Sequence, residues 1–247
     1  MKILYLDIET SPDLAYVWKL WRENIPLERL VEAGQVISVA WKWRGDRPVT
    51  FASDHSPGHL GMLDAAHAAL SNADLVVHYN GKAFDIPHLN REFVLAGMKP
   101  PAPYAQLDLL QQVRKQFRFA SNKLAHVSEA LGLEGKVKHG GFDLWARCLA
   151  NEASAWREME EYNKRDVTLL EELHDRLSGW LPGAPNARLL GDEGDQVCPQ
   201  CGADGLRREG HAYTQLGRYQ RWQCRQCGAW SRSSTRDAGT RIQSVSP

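Results

Sequence analysis

Two carboxylates, Asp7 and Glu9, end a short apolar run close to the start of the chain. The run over residues 3–8 predicts a buried β-strand, in which side chains two residues apart point to the same face. Two like charges on one face beside an apolar core are costly unless an opposite charge compensates them. The pair therefore indicates a cation site at the end of this strand, with a solvated loop as the ordinary alternative.

Two further acids would complete such a site. Asp85 opens a predicted helix just after a Tyr-Asn-Gly turn, and Asp166 lies four residues after Tyr162 on the same face of a long predicted helix. Hard cations such as Mg²⁺ and Mn²⁺ prefer oxygen ligands, which carboxylates supply. Taken singly, Asp85 is more simply explained as a helix N-cap, and Tyr162 and Asp166 as surface neighbours.

Together the acidic segments resemble the three exonuclease motifs of the DEDD 3′–5′ exonucleases. The matching segments are Asp7-Ile8-Glu9-Thr10, Asn80-Gly-Lys-Ala-Phe84-Asp85 and Tyr162-Asn-Lys-Arg-Asp166. The stretch YNGKAFDIPHL is especially similar to the proofreading exonuclease domain of B-family DNA polymerases. The resemblance extends over about residues 1–180 in motif order and spacing, and it implies a ribonuclease-H-like fold.

The resemblance also implies a catalytic set with two metal ions. The acids that would bind two Mg²⁺ or Mn²⁺ ions are Asp7, Glu9, Asp85 and Asp166. Two such ions, about 3.5–4 Å apart, activate a water and stabilise the leaving oxygen of a phosphodiester. Tyr162 would position the attacking water, which is the mark of the tyrosine subclass (DEDDy). The histidine subclass would carry histidine where this chain has Glu161.

By the same analogy, the residues that would bind substrate around the terminal nucleotide are Thr10, Asn80 and Phe84. Asn80 is equally well explained as a turn residue in the left-handed conformation, and Phe84 as a core aromatic. We expect Asp108 to cap a helix; a position in the substrate cleft is the second interpretation. Trp18 and Trp21 would be able to stack on bases, but their spacing of three favours core packing.

The activity implied by the resemblance is metal-dependent hydrolysis of terminal phosphodiesters from the 3′ end, with release of nucleoside 5′-monophosphates. Single-stranded DNA is the favoured substrate because the resemblance is to DNA proofreading domains, and RNA is the second candidate. A ribonuclease-H-like endonuclease or resolvase is disfavoured because it would not need Tyr162. A non-catalytic adaptor for nucleic acid or protein is disfavoured because unused clustered carboxylates carry an electrostatic cost.

Four of the five cysteines form two Cys-x-x-Cys pairs, Cys198 with Cys201 and Cys224 with Cys227, and 22 residues separate the pairs. Four thiolates in this arrangement predict one tetrahedral structural Zn²⁺ site, and the segment resembles a zinc ribbon. Redox-active dithiols are the alternative, but no βαβ pattern surrounds them. A module of about 40 residues needs such a metal to fold.

The cysteine module is rich in arginine and aromatic residues. Its interleaved residues are Arg207, Arg208, Tyr213, Arg218, Tyr219, Arg221, Trp222 and Arg225. They would suit a single-strand binding surface; alternatively the rings form a small core that the arginines solvate, or the ribbon docks a protein.

Charge is distributed unevenly along the chain. Residues 196–247 hold 8 Arg or Lys and 3 Asp or Glu, whereas residues 1–195 hold 22 Arg or Lys and 27 Asp or Glu. A basic segment on an acidic body is expected if the segment approaches a polyanion.

The elements that must position these residues alternate between strand and helix. Predicted strands cover residues 3–8, 36–43, 49–52 and 75–78. Predicted helices cover residues 58–70, 85–96, 107–117, 122–131, 144–150 and 153–177. This order predicts an α/β fold with a ribonuclease-H-like mixed central sheet flanked by helices, plus a small zinc-ribbon β module.

From the sequence we predict four consecutive parts. They are an exonuclease domain over residues 1–183, a linker over 184–195, a zinc ribbon over 196–234 and a disordered tail over 235–247. The hydrophobic fraction of 43% and charged fraction of 24% are ordinary for a globular protein. No apolar stretch approaches the roughly 20 residues of a membrane span, and the first residues do not form a signal peptide. We therefore expect a cytoplasmic protein without membrane contact.

Overall fold

The computed structural model describes residues 2–133, 141–181, 185–190 and 197–243. The chain divides into two compact units, the first formed by Lys2–Glu172 and the second by the chain from Leu173 onward. The first unit contains a mixed β-sheet with helices, and the second contains a smaller sheet with the paired cysteines. Among the described helices, none combines the length and the apolar composition of a membrane-spanning segment.

A mixed sheet forms the centre of the first unit. The strands described there are β1 (Ile3–Thr10), β2 (Leu14–Ala15), β3 (Leu30–Glu32), β4 (Val36–Trp43), β5 (Thr50–Ser53), β6 (Leu75–His78) and β7 (Ala105–Asp108). The sheet order is β5-β4-β1-β6-β7. Strand β1 pairs antiparallel with β4 and parallel with β6, and β6 pairs parallel with β7. The predicted mixed central sheet is confirmed.

Helices cover both faces of this sheet. The α-helices described in the chain are α1 (His59–Ser71), α2 (Asp85–Leu95), α3 (Leu109–Gln116), α4 (Leu124–Ala130), α5 (Phe142–Leu149) and α6 (Ala153–Leu177). Leu4, Leu6 and Ile8 pack in one cluster with buried residues of α1 and α2. Because side chains in a strand alternate, Asp7 and Glu9 point to the opposite face, where α6 lies.

Strand β7 corrects the prediction of a helix over residues 107–117. Residues 105–108 pair along β6, with Leu107 opposite Val77 and Asp108 opposite His78. The helix begins only after Asp108, whose carboxylate accepts hydrogen bonds from the N–H groups of Leu110 and Gln111. The apolar run was compatible with either element, and pairing with a buried strand decided between them. The predicted cap role of Asp108 is confirmed.

The segment between β1 and β4 corrects the prediction for Trp18 and Trp21. These side chains are 84% and 83% exposed, so neither packs in the core. A spacing of three residues places side chains on one face only in a helix. This segment instead forms the short β2–β3 pair and a 3₁₀ turn at Leu27–Arg29. The exposed aromatic residues thus lie on a separate two-stranded segment, which we call the β2–β3 arm (residues 14–32).

The second unit is a small antiparallel sheet built around one strand. Its described strands are β8 (Leu206–Tyr213), β9 (Gly217–Cys224), β10 (Trp230–Arg232) and β11 (Ala238–Gly239), and the other three all pair with β9. The prediction of disorder over 235–247 is wrong at β11, because its backbone groups bond to β9. Residues 184 and 191–195 of the predicted linker, residue 196 of the predicted ribbon and residues 244–247 of the tail lie outside the described residues.

Candidate metal centres

The structure brings three of the four predicted acids together. Ligand oxygens of Asp7, Glu9 and Asp166 all lie within 4.8 Å of one another. The alternation of β1 puts the first two on one face, and α6 lies against that face with Asp166 buried at 3% exposure. Such a cluster of carboxylate oxygens is the donor set that Mg²⁺ and Mn²⁺ prefer. The residues present therefore fit a hard divalent cation.

Asp85 contacts this cluster through the main chain. Its Oδ1 accepts a hydrogen bond from the backbone N–H of Ile8, at 3.1 Å, between the two acids of β1. Burial raises the pKa of the Asp85 carboxyl to about 7, and the nearby Asp108 carboxylate adds to the rise. Phe84 rather than Asp85 occupies the N-cap position of α2, so the N-cap explanation of Asp85 does not hold.

A tight turn delivers Asp85 to this position. Asn80 has φ 73°, and its N–H donates a 3.0 Å hydrogen bond to Asp108. A Cβ on Gly81 would lie 2.4 Å from Cγ of His78, so only glycine fits there. The left-handed turn role considered for Asn80 agrees with this geometry. The close packing of the turn on β6 and β7 fixes where α2 begins.

The other two predicted substrate residues lie near the same strand end and turn. Thr10 follows a register shift in the pairing of β1 with β4, between Glu9 and Thr10, and such bulges often re-aim side chains beside active sites. Phe84 is 38% exposed, and its ring centroid lies 4.4 Å from that of His88. The alternative of Phe84 as a core aromatic is therefore wrong.

Tyr162 is buried beside the acids. Its ring packs in a cluster with Ile37, Leu144 and Met159. Burial, and then the negative charges of the three clustered acids, raise the pKa of the Tyr162 phenol well above its usual value. The hydroxyl stays protonated at neutral pH as a result. It hydrogen-bonds to the side chain of Asp166, one helical turn away.

Two residues that the sequence did not reveal hold Asp7 in place. The Nδ2 of Asn163 donates to Oδ2 of Asp7 at 2.7 Å, and the Oγ of Ser38 donates to Oδ1 of Asn163 at 3.1 Å. Ser38 and Asn163 are fully buried. Asn163 lies inside the segment Tyr162–Asp166, but its role depends on the register that sets Ser38 opposite Glu9, which no local pattern reveals.

The four paired cysteines form a second candidate centre, in the other unit. All four sulfurs lie within 4.8 Å of one another, with Cys198 Sγ 3.7 Å from Cys227 Sγ and Cys201 Sγ 3.8 Å from Cys224 Sγ. Tetrahedral zinc with Zn–S bonds of about 2.3 Å requires sulfur–sulfur edges of about 3.8 Å. A disulfide would need about 2.05 Å. The geometry fits zinc and excludes disulfides at these separations.

Main-chain turns shape the sulfur cluster. The glycines after the two knuckles, Gly202 and Gly228, have φ 75° and 74°, which explains their residue type. Burial opposes ionisation of the Cys224 thiol, but the N–H groups of Cys227 and Gln226 outweigh it and lower the pKa of Cys224 to about 7. The turn that closes the site therefore favours the thiolate form of Cys224, whereas burial raises the pKa of the Cys201 thiol to about 11.

Comparison with known proteins agrees with the architecture of the first unit. A family model described as RNase_H_2, of the RNase H superfamily, matches residues 35–178, which include Asp85 and Asp166. The fold is similar to the structure of the family B DNA polymerase from the hyperthermophilic archaeon Pyrobaculum calidifontis, with a TM-score of 0.52 and 16% identity. The similarity covers 87% of this chain and 31% of the polymerase.

At that identity the similarity to the polymerase concerns the fold alone. No curated protein matches the sequence. The family match spans more than half of the chain and covers β4–β7 and the helices that surround the acids, although it begins after β1, which carries Asp7 and Glu9. The predicted ribonuclease-H-like fold is confirmed. The chain belongs to the RNase_H_2 family of the RNase H superfamily.

Proposed function

We propose that this protein is a metal-dependent 3′–5′ exonuclease that hydrolyses terminal phosphodiesters and releases nucleoside 5′-monophosphates. The observation that carries the proposal is the convergence of Asp7, Glu9 and Asp166 at the end of β1, with Asp85 bonded to the main chain between the first two. Membership of the RNase H superfamily supports nuclease chemistry at this position.

The residues of this site have different proposed roles in the reaction. The ligands of two divalent cations, Mg²⁺ or Mn²⁺, are Asp7, Glu9, Asp85 and Asp166. When bound, the cations supply a polarised phosphate and an activated water. Tyr162, protonated at neutral pH, orients the water by a hydrogen bond, as in the tyrosine subclass. Asn163 holds the carboxylate of Asp7 in place through a hydrogen bond to its Oδ2.

The proposed substrate is the 3′ end of single-stranded DNA, with RNA as the second candidate. Thr10, Asn80 and Phe84 lie at the strand end and turn that carry the acids, and the exposed ring of Phe84 is available to a nucleotide. The resemblance of the segment around Asn80 and Asp85 to DNA proofreading domains favours DNA. In this proposal the 2′-hydroxyl is the group by which RNA and DNA would be distinguished.

The second unit is proposed as a zinc ribbon that assists nucleic-acid binding. Its arginines lie over aromatic rings, with Arg221 4.7 Å from the ring centroid of Trp230 and Arg232 4.1 Å from that of Tyr219. Register places Arg221 directly opposite Arg232 on adjacent strands, so the two cations share one face. A face of alternating cations and rings suits a phosphate backbone and its bases.

The decisive experiment follows cleavage of strands labelled at the 5′ end, with the 3′ end free or blocked, in Mg²⁺ or Mn²⁺. We expect a ladder that shortens from the free 3′ end, and no ladder for Asp7→Ala or Asp166→Asn. Asp46→Asn, an exposed acid outside the site, is the matched control and should cleave normally. Internal cuts in the blocked strand would indicate an endonuclease instead. Absence of cleavage with every metal would indicate a binding adaptor.

A further inference from the structure

The tip of the β2–β3 arm is a turn with a defined conformation. The carboxylate Oε2 of Glu23 accepts hydrogen bonds from the N–H groups of Trp18, at 3.0 Å, and Lys19, at 2.8 Å. Its other oxygen pairs with the guanidinium of Arg29. The pKa of Glu23 lies below its usual value, and the hydrogen bond from the Lys19 N–H is the largest contribution to this shift. One ionised side chain therefore fixes the turn from both sides.

This turn presents rings and cations together. Trp18, Leu20 and Trp21 are 84%, 85% and 83% exposed, and Tyr16 is 75% exposed. Lys19 and Arg22 alternate with the tryptophans, while the charge of Glu23 is neutralised by Arg29. The arm as a whole has three basic and three acidic residues, but its tip, residues 16–22, carries Lys19 and Arg22 and no acid, although the first 195 residues of the chain are net acidic. Exposed rings grouped in this way mark an interaction surface.

The base of the arm is anchored beside the candidate catalytic strand end. The arm leaves β1 after Thr10 and returns to β4 ahead of Ser38, which pairs with Glu9. The N–H of Ser11 donates to the carbonyl of Gln35 at 2.8 Å. The two chain segments cross so closely that a Cβ on Gly34 would lie 2.4 Å from the Ser11 carbonyl oxygen. The arm therefore starts and ends at the strand terminus that carries the acids.

We propose that the arm tip binds the single-stranded substrate upstream of its 3′ end, with Trp18 and Trp21 stacked on bases and Lys19 and Arg22 at phosphates. The inference rests on the proposed nuclease function and adds a binding site to it. Sequence-independent single-strand sites combine aromatic rings, which accept every base, with cations that follow the backbone. The alternation of rings and cations at the tip matches that chemistry, which favours a nucleic acid over a protein as the occupant.

Binding is measured with the full chain in Mg²⁺, by fluorescence anisotropy of a labelled 12-nucleotide thymidine strand whose 3′ linkages are phosphorothioates. We expect the W18A/W21A double variant to bind roughly tenfold more weakly for each ring removed. W18F/W21F should retain most of the affinity because it keeps the rings. Trp180→Ala, which removes a 68% exposed tryptophan elsewhere, is the matched control. Loss of Lys19 and Arg22 should lower the salt slope by about 0.7 for each.

A second substrate separates this inference from the proposed function. Thymidine 5′-monophosphate p-nitrophenyl ester is too short to reach beyond the catalytic centre, so wild type and W18A/W21A should hydrolyse it equally. If wild type binds the strand through the arm but cleaves nothing, the nuclease proposal fails and the arm inference stands. If W18A/W21A binds the strand as tightly as wild type, the arm inference is overturned, and a protein becomes the occupant to seek. If W18A/W21A lost activity equally on the strand and on the short ester, the inference would also be overturned, because the arm would then be needed to keep the catalytic centre folded.

Discussion

The buried carboxyl of Asp85 would couple the stability of the fold to the proposed metal binding. An unfolded aspartate titrates near pH 4, whereas burial raises the pKa of folded Asp85 to about 7. Between these values the folded, metal-free protein holds a proton that the unfolded chain has released. The free energy of unfolding of the metal-free protein therefore falls as pH rises from about 4 through about 7. A bound cation favours the ionised carboxylate and offsets this loss.

The first prediction concerns Asp85→Asn, which keeps an acceptor for the Ile8 N–H but cannot ionise. In a chelator at pH 8 we expect the variant to exceed wild type in free energy of unfolding by roughly 2–4 kcal/mol. At pH 5 the difference should shrink to roughly 1–2 kcal/mol, because the unfolded chain has by then released its proton while folded Asp85 still holds it, and it should vanish below about pH 4. Urea unfolding at both pH values measures this, with Asp46→Asn as the control. A metal-free wild type more stable than Asp85→Asn at pH 8 would contradict the prediction.

At the scale of elements, the candidate centre depends on how α6 is fixed to the sheet. Asn163 on α6 bonds to Asp7 of β1 and to Ser38 of β4, so one side chain ties the helix to two strands. Lys42 of β4 pairs with Glu171 farther along the same helix. These polar links run along the helix that also carries Asp166. They fix the helix rotation that points Asp166 at the other two acids.

The second prediction follows from that link. Asn163→Ala frees the Asp7 carboxylate to rotate, and we expect Mn²⁺ affinity or activity to fall 10–100-fold, as for other residues that orient a metal ligand. Ser38→Ala should weaken Mn²⁺ binding less, because Asn163 still reaches Asp7. Calorimetric titration with Mn²⁺ and thermal unfolding of each variant separate a loss of affinity from a loss of fold. Wild-type Mn²⁺ affinity in folded Asn163→Ala would show that Asp7 needs no such support.

At the scale of the whole molecule, the two compact units have different sources of stability. The first has an apolar core on both faces of its sheet. The second has a buried apolar cluster made largely of the cysteines themselves, with Ala229 and Leu206. Within that unit, a Cβ on Gly179 would lie 2.0 Å from the carbonyl oxygen of Cys227, so the chain before the ribbon packs directly on a cysteine knuckle. Because the cysteines make up most of this cluster, we expect the unit to depend on the proposed zinc ion.

The third prediction is selective unfolding on loss of zinc. Cys224→Ser, or a chelator strong enough to remove zinc, should unfold the ribbon while the first unit keeps its helical circular dichroism and its Mn²⁺ site. Fluorescence of Trp222 and Trp230 should change in step with zinc content. Affinity for long single strands should fall, whereas hydrolysis of the short nucleotide ester should not. A ribbon that stays folded without zinc would contradict the assignment of the cysteines.

Features that depend on short spacing were predictable. Strand alternation put Asp7 and Glu9 on one face, and helical periodicity did the same for Tyr162 and Asp166. The two Cys-x-x-Cys pairs predicted that all four cysteines meet at one site, because each such pair typically forms a local turn around a metal. In the first unit the predicted helices and strands agree closely with the structure, except that the predicted helix over 107–117 begins inside β7 and that the short strands β2 and β3 are not predicted.

The sequence by itself determined the residue types of both centres, because side-chain period and knuckle spacing are local properties of the chain. Only the tertiary structure decided which distant segments meet. The bond from Asp85 to Ile8, the link from Ser38 through Asn163 to Asp7 and the exposure of Trp18 all depend on sheet register and on what covers each surface. These are contacts between residues far apart in the chain, and no local pattern encodes their free energy.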